Sequence, residues 1–573
     1  MSRSSFRPSY KTSQPNPGGW ISLLIIVVAA CAICWPLTKG LIDAVNNAAG
    51  GVFQSISSAA SGPQPTLTVA VSPEKAELYK QLVDNFNARK LKAANGDELR
   101  LATVQLEPEE MIDAAIAGDF QAMSPDSSIW LDQLDRQYQS VQNTTAGLVG
   151  QTVRYAVSPV VIAMWRDKAQ QLGWPQKPIG WSDLLNEATT NKDFKWSHPS
   201  TSSASGVLAA LAEFYAATGK TRGLTVDDVK SPQAQEYVNA LEKTVRYYGE
   251  GEASIAQRVA EKGRTYLDAF VSSEQIVINT NQQPGVDLVA IYPHEGSLWQ
   301  DHPLALLEAN TLSDVNRETF RAFANYIISP EAQQLILAKG YRPADLNIKI
   351  DGANSPINEK NGADPTKPQT SLQVPSAAVL DVVRESWLAN KRRTNVELVV
   401  DTSGSMEGDK LNSVIQALNT FLDQVKSDEE RVGLIEFYSE VTDRVPINLL
   451  KNNRSTLVRA VETLDAGGNT ALLDGVAAAY DRLQELNDPS RINAIVVMTD
   501  GKENASSIKL GQLVAKLQQG NQRGVPVTIF GIAYGNDAEL GPLQAMADAT
   551  SGQTYVGTID TIRKLYKILS TYF

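Results

Sequence analysis

Cysteine is nearly absent from this chain of 573 residues. Two occur, Cys31 and Cys34, both in one apolar run near the N-terminus, and none follows. Disulfide scaffolds, thiolate zinc ribbons and thiol catalysis are thereby excluded from the bulk of the molecule. Histidine is almost as scarce, with three residues, too few for a His-rich metal site. An excess of positive charge is also missing. Fifty-two basic against 64 acidic residues leave a net charge of −12, so the electrostatic footprint for general nucleic-acid binding is lacking. Compositional bias is absent too: 43% hydrophobic and 20% charged residues, with 38 Gly and 27 Pro, exclude wholesale disorder, collagen and coiled coil. At roughly 150 residues per domain, the length implies three or four units, or two large ones with linkers and a tail.

The first long hydrophobic run, WISLLIIVVAACAICWPL from Trp20 to Leu37, is interrupted only by Ser22 and Pro36 and has no polar face. As a helix it measures about 27 Å, enough to cross a hydrocarbon core of about 30 Å. Trp20 and Trp35 stand at its ends, where amphipathic rings favour headgroups. Residues 20–38 are therefore read as a single-pass anchor. Arg3, Arg7 and Lys11 precede it with no acid between them. The positive-inside rule then makes residues 1–19 a cytosolic tail and puts residues after about 40 outside the membrane. The alternative is a lipoprotein anchored at Cys31, since Val28-Ala29-Ala30-Cys31 loosely fits a cleavage box. Against it, the apolar run continues to Trp35, where a mature lipoprotein would turn polar.

Small and turn-forming residues at 39–65 read as a tether. From Leu67, strands (TLTVAVS, ELRLATVQL, VSPVVIAMW, EQIVINT, DLVAIYP) alternate with helices (Pro73 to Arg89, PEEMIDAAIAG, WSDLLNEAT, SGVLAALAEFYAATG). This alternation over residues 66–346 predicts a two-lobed α/β domain with mostly parallel sheet. Residues 347–375 lose periodicity and read as a second linker. Residues 376–573 begin with a helix from Ser376, after which alternation resumes at VELVV and predicts a doubly wound α/β domain.

The sharpest motif lies at the end of VELVV, which runs directly into Asp401-Thr402-Ser403-Gly404-Ser405-Met406. Oxygen side chains on a tight turn at a strand's carboxyl edge can converge on one hard cation. Gly467-Gly468-Asn469-Thr470 adds a hydroxyl before a helix, and strand AIVVM ends in Thr499-Asp500-Gly501. This D-x-S-x-S set with a distal Thr and T-D-G resembles the metal-ion-dependent adhesion site of von Willebrand factor type A domains. The resemblance implies that Ser403, Ser405 and Thr470 bind Mg²⁺ through hydroxyls, with Mn²⁺ or Ca²⁺ as substitutes. Asp401 and Asp500 would act largely through waters, leaving a position for an acidic group of a partner protein. Glu503, close by, reads as a solvated loop charge rather than an acid–base group. The motifs contain no catalytic constellation, so no enzyme is expected.

Residues 66–346 resemble the type II solute-binding proteins of bacterial transporters, on the ordered pieces VAVSPE, DSSIWL, VSPVVIAMW, SHPSTSSASG, IYPHEGSLWQDHPLAL and SPEAQQLILAKGYRPAD. The hydroxyls of Ser202, Ser203 and Ser205, with Ser200 and Gly206, open a helix whose free N–H groups suit a small anionic or polar solute. Ser72, Trp130 and Ser158 are candidates to line the same cleft. His294 and His302 read as surface histidines rather than a metal pair. The expected whole is an anchored extracytoplasmic protein of the bacterial envelope that binds a protein partner through the metal site, coupled to small-ligand binding. The alternative is a solute-capture or sensing component of a transport system, with the last domain for docking.

Overall fold

The computed structural model describes residues 64–249, 251–535 and 538–558, together with Ile562 and Tyr566. The anchor expected at 20–38, the tail before it and most of the tether lie outside the described residues. Among the described residues, no helix is long and apolar enough to cross a membrane.

The first half of the chain forms two sheets. In the first, the order is Leu101–Gln105, Leu67–Val71, Ala122–Ser124, Pro303–Leu307, Val149–Arg154. Its first three strands are parallel; Pro303–Leu307 runs antiparallel to both neighbours. The second sheet is built around Ala156–Trp165, a ten-residue strand buried almost throughout. That strand pairs antiparallel with Ala269–Ser273, Leu288–Ile291, Trp299–Gln300 and Arg342–Pro343, while Trp196–Pro199 joins parallel beyond Ala269–Ser273. The alternation of strands and helices predicts a mostly parallel sheet for these residues, but antiparallel pairs dominate this second lobe. The chain passes between the sheets at Tyr155 and again at Asp301–His302, and the Tyr155 N–H donates to the His302 carbonyl at 3.5 Å.

One expected strand is a helix. EQIVINT forms Glu274–Thr280, because the preceding Ala269–Ser273 already occupies the sheet position and Ser273 turns the chain into a helix. A short apolar run carries no usable period to separate the two states. The stretch at 347–375 is no free linker either. Ile357, Ala363 and Leu372 are buried, the Ala290 N–H donates to the Gly362 carbonyl at 2.7 Å, and the Ser297 N–H to the Thr370 carbonyl at 3.0 Å. These apolar anchors lash the segment along the second lobe. Helix Ala377–Asn390, assigned from sequence to the last domain, packs instead on helices Ala204–Thr218, Val226–Lys230 and Pro232–Glu242.

The last domain is a six-stranded sheet ordered Val441–Leu449, Arg431–Phe437, Thr394–Asp401, Ile492–Thr499, Val527–Tyr534, Gln553–Gly557. All neighbours are parallel except the edge strand Val441–Leu449. The sequence does not announce that edge strand; VTDRVPINL is half exposed, holds a proline and shows no clean alternation. Thr394–Asp401 and Ile492–Thr499 are buried at every residue, as central parallel strands covered on both faces should be.

Candidate metal centre

Because Thr394–Asp401 and Ile492–Thr499 are parallel neighbours, their carboxyl ends emerge side by side. Asp401 closes the first and Asp500 follows the second. Asp401 is fully buried. Its Oδ1 accepts the Ser403 N–H at 2.8 Å and its Oδ2 accepts the Thr499 hydroxyl. Burial pushes this carboxyl above its usual range and the Asp500 charge adds to that, while the Thr499 and Ser403 bonds pull it back. Asp401 thus shapes the turn, and both its oxygens are engaged.

The hydroxyls sit beyond it. Ser403 Oγ and Ser405 Oγ are 3.1 Å apart, and Ser405 Oγ donates to Asp500 Oδ1 at 2.6 Å. The Lys410 ammonium pairs with Asp500 Oδ2. Thr470 arrives on a loop stitched to the turn by Gly467 N–H to the Thr402 carbonyl at 2.8 Å and Gly404 N–H to the Gly468 carbonyl at 3.1 Å. Gly468 has φ of 75°, and a Cβ there would lie 2.6 Å from Ser439 Oγ, so the stitch needs glycine on both counts. The Thr470 N–H donates to Asn504 Oδ1 at 2.9 Å, and its carbonyl accepts from Asn504 and Ala505 at 3.1 and 3.2 Å. The three chain segments are therefore tied into one frame.

A pocket of about 400 Å³ opens over them, lined by Ser403, Ser405, Thr470 and Asp500 with Gly501 and Lys502 among others. A Cβ on Gly501 would stand 3.0 Å from Thr470 Oγ1 and 3.4 Å from Ser405 Oγ; the glycine leaves that oxygen cradle open. Four of the five residues singled out from sequence line this pocket, and the fifth orients the turn from beneath. The donor set is oxygen only and suits a hard dication. Glu503 departs from the expectation: it is a clamp, not a solvated charge. Its carboxylate accepts the N–H groups of Leu473, Ala505 and Ser506 and the Ser506 hydroxyl, at 2.7–3.1 Å. Sequence could have signalled this, since an acid followed three residues later by Ser is a local capping pattern.

The hydroxyl cluster at the start of helix Ala204–Thr218 is largely self-satisfied. Ser202 Oγ lies 2.6 Å from Ser200 Oγ, Ser203 Oγ accepts the Gly206 N–H at 3.2 Å, and Ser203 and Ser205 hydroxyls are 3.2 Å apart. The Ala204 N–H donates to Asp126 Oδ2 at 3.2 Å. A carboxylate of the protein already stands where the sequence suggests a small anion. Around it lie the half-buried Glu74 and the buried Lys75 and Glu252, and desolvation raises the Glu74, Asp126 and Glu252 carboxyls and lowers the Lys75 ammonium. Ser158 Oγ meets His302 Nε2 at 3.1 Å, and His302 is fully buried rather than at the surface. His294 remains partly exposed beside Glu295. Trp130 Nε1 is buried without a hydrogen-bond partner, as are Asp126 Oδ1 and Gln300 Oε1, while the buried Ser72 hydroxyl bonds the Glu74 carboxyl. Trp130 lies under the Arg384 guanidinium, 4.9 Å from its ring centre, so it packs against helix Ala377–Asn390 as part of the core.

Comparison with known proteins divides the chain in the same way. Residues 67–342 match the family described as bacterial extracellular solute-binding protein, and residues 395–570 match the von Willebrand factor type A domain. Inter-alpha-trypsin inhibitor heavy chain H2 of Homo sapiens is 25% identical over 189 residues, 31% of this chain and 20% of that protein. Uncharacterized protein YfbK of Escherichia coli (strain K12) is 22% identical over 299 residues, 48% of this chain and 49% of that one. The chain thus spans a fifth to a half of the length of these curated relatives. Among solved structures, a von Willebrand factor type A protein from Catenulispora acidiphila is 23% identical, covering 32% of this chain and 43% of its own, with a TM-score of 0.28. The sulfate-binding protein SubI from Mycobacterium tuberculosis H37Rv is 17% identical, covering 50% and 88%, with a TM-score of 0.37.

Proposed function

For a chain that joins a bacterial extracellular solute-binding domain to a von Willebrand factor type A domain, we propose the role of a membrane-anchored extracytoplasmic binding protein. It engages an acidic group of a protein partner at the oxygen site of its last domain, and it is not an enzyme. The observation that carries this reading is the convergence of Ser403, Ser405, Thr470 and Asp500 on one pocket, with Asp401 beneath them. Mg²⁺ held there would supply an electrophilic coordination position. Ser403, Ser405 and Thr470 offer neutral hydroxyls, so little of the cation's charge is cancelled by direct ligands. Asp401 keeps the Ser403 turn in place through the Ser403 N–H, and Asp500 orients Ser405.

Asp401→Asn keeps the shape and removes the charge. The variant should bind Mn²⁺, followed by its paramagnetic spectrum, at least tenfold more weakly. Its stability should stay within about 1 kcal/mol of the unmodified chain without metal. Partner capture from envelope extracts should vanish with chelator and return with Mg²⁺ or Mn²⁺. Capture indifferent to chelator, or full metal binding by the variant, rejects the reading.

A second role, solute capture, is favoured by the buried Asp126 and Gln300 oxygens of the first domain that meet no hydrogen-bond partner. The Gln300 oxygen can only accept, and Asp126 Oδ1 accepts when that carboxyl is ionised, so together they suit a solute rich in donors, an amine or a polyol. Such solutes should raise the thermal midpoint where small anions do not; stabilisation by anions alone would reverse that assignment.

A further inference from the structure

A second cluster of metal-ligating side chains lies away from the oxygen site. His198 belongs to strand Trp196–Pro199, Glu213 sits within helix Ala204–Thr218, and Glu242 ends helix Pro232–Glu242. All three are 0% exposed. One ligand atom from each lies within 4.8 Å of the other two. Charged groups do not survive in such a place unless something balances them.

The hydrogen bonds fix what each atom offers. His198 Nδ1 is 2.8 Å from the Pro199 carbonyl. A carbonyl can only accept, so Nδ1 carries a proton, and when the ring is neutral its Nε2 presents a lone pair. That lone pair faces Glu242 Oε1 at 3.2 Å. Tyr248 accepts the Arg392 N–H at 2.7 Å and donates its own proton to Glu242 Oε2 at 2.6 Å. The tyrosine proton is therefore committed away from Oε1. Outside the cluster neither oxygen of Glu213 meets a hydrogen-bond donor, and its carboxyl faces that of Glu242. With the ring neutral and both carboxyls ionised, the centre of the cluster holds a ring nitrogen and carboxylate oxygens, all of them electron-pair donors.

We propose that His198, Glu213 and Glu242 form a binding site for a divalent transition ion of the zinc class. One imidazole nitrogen with two carboxylates is a zinc-like ligand set and a poor one for Mg²⁺, which prefers six oxygens. The 3.2 Å between Nε2 and Oε1 matches the edge of a tetrahedron whose ligands stand about 2 Å from the ion. A dication cancels the two carboxylate charges. The Pro199 carbonyl on Nδ1 and the Tyr248 hydroxyl on Glu242 are outer partners of the kind that orient metal ligands. The rival occupant is a pair of protons, with an imidazolium on Glu242 and a protonated Glu213.

Position gives the site its role. Trp387, on the helix leading into the last domain, lies 6.2 Å from the His198 ring and 5.3 Å from the Tyr248 ring. Arg392, at the entry to that domain, bonds Tyr248 directly. The ion would pin strand Trp196–Pro199 and two helices of the second lobe where the last domain attaches. With its ligands wholly buried, it would exchange slowly.

The test uses the full chain, unfolded and refolded with Zn²⁺ or Co²⁺, then dialysed into millimolar Mg²⁺ to occupy the oxygen site. One zinc per chain by elemental analysis, and an intense visible spectrum of four-coordinate cobalt, are expected. Glu213→Gln keeps the shape and suits the two-proton arrangement, so it should fold under either reading. It should retain at least tenfold less zinc and lose the cobalt spectrum, and its thermal midpoint should be indifferent to zinc. If that variant fails to fold, the zinc count and cobalt spectrum of the unmodified chain decide alone. An unmodified chain that takes up no zinc, or a folded variant that holds as much, overturns the proposal in favour of the shared protons.

Discussion

Glu252 concentrates the electrostatic cost of the first domain in one side chain. It accepts from the Ser273 N–H at 2.7 Å, the Ser273 hydroxyl at 2.8 Å and Gln300 Nε2 at 3.3 Å. Burial nevertheless outweighs these bonds and pushes its carboxyl up to about 7, with the nearby Asp126 adding to the rise. A carboxyl raised on folding stabilises the fold fully below its unfolded value, near 4.5, and that contribution is lost as pH climbs through about 7. Glu74 and Asp126 are raised by burial in the same sense. Lys75, lowered by burial to about 8, begins to lose its proton only at the upper end of this window and offsets a small part of the slope. The first domain should therefore be more stable at pH 5.5 than at pH 8. Glu252→Gln should flatten that slope and raise stability at pH 8 by at most about 3 kcal/mol. Urea midpoints of both proteins at the two pH values measure it, and an unchanged slope in the variant would refute it. Lys410 plays a comparable part at the oxygen site, where its ammonium balances a carboxylate that is almost entirely buried.

At the scale of elements, long periodic segments are legible in the sequence and short or mixed ones are not. SGVLAALAEFYAATG reads as a buried helix, and Ala204–Thr218 is one. Its single acid, Glu213, is fully buried with the rest, which a helix this apolar on every face does not reveal. VELVV and AIVVM read as central strands because continuous β-branched runs suit burial on both faces. EQIVINT has the same β-branched flavour in seven residues and forms a helix. VTDRVPINL, with charges and a proline, forms nine residues of edge strand. Sequence period decides an element when it repeats over several turns; below that length the neighbouring elements decide.

For the whole molecule, the join between the two halves is built on Arg392. Its NH1 donates to the Val245 carbonyl of the second lobe at 2.8 Å. Its NH2 donates to the carbonyls of Pro489 and Arg491 in the last domain, at 2.8 and 3.2 Å. Lys262 adds a second tie, to the Gly552 carbonyl at 2.8 Å and Asp548 at 3.1 Å. Removing the Arg392 side chain leaves these carbonyls without their shared charged donor, at a cost of about 2–4 kcal/mol. Arg392→Ala should split one calorimetric unfolding transition into two, one for each half. A single transition in the variant, at the unmodified midpoint, would show that the join lies elsewhere.

The oxygen site is readable from sequence because each of its parts sits at a strand end. In a doubly wound domain parallel strands deliver their ends to one edge, so order along the chain becomes proximity in space. Asp401, Ser403, Ser405, Thr470 and Asp500 can be named from the order of residues alone, and they do come together in the fold. The lash at 347–375, the position of helix Ala377–Asn390 and the carboxylate on the Ala204 N–H are decided only in the folded molecule. So is the meeting of His198, Glu213 and Glu242, drawn from one strand and two helices. No local period or motif links those residues. They are brought together by packing between elements distant in sequence, and packing is a property of the assembled core.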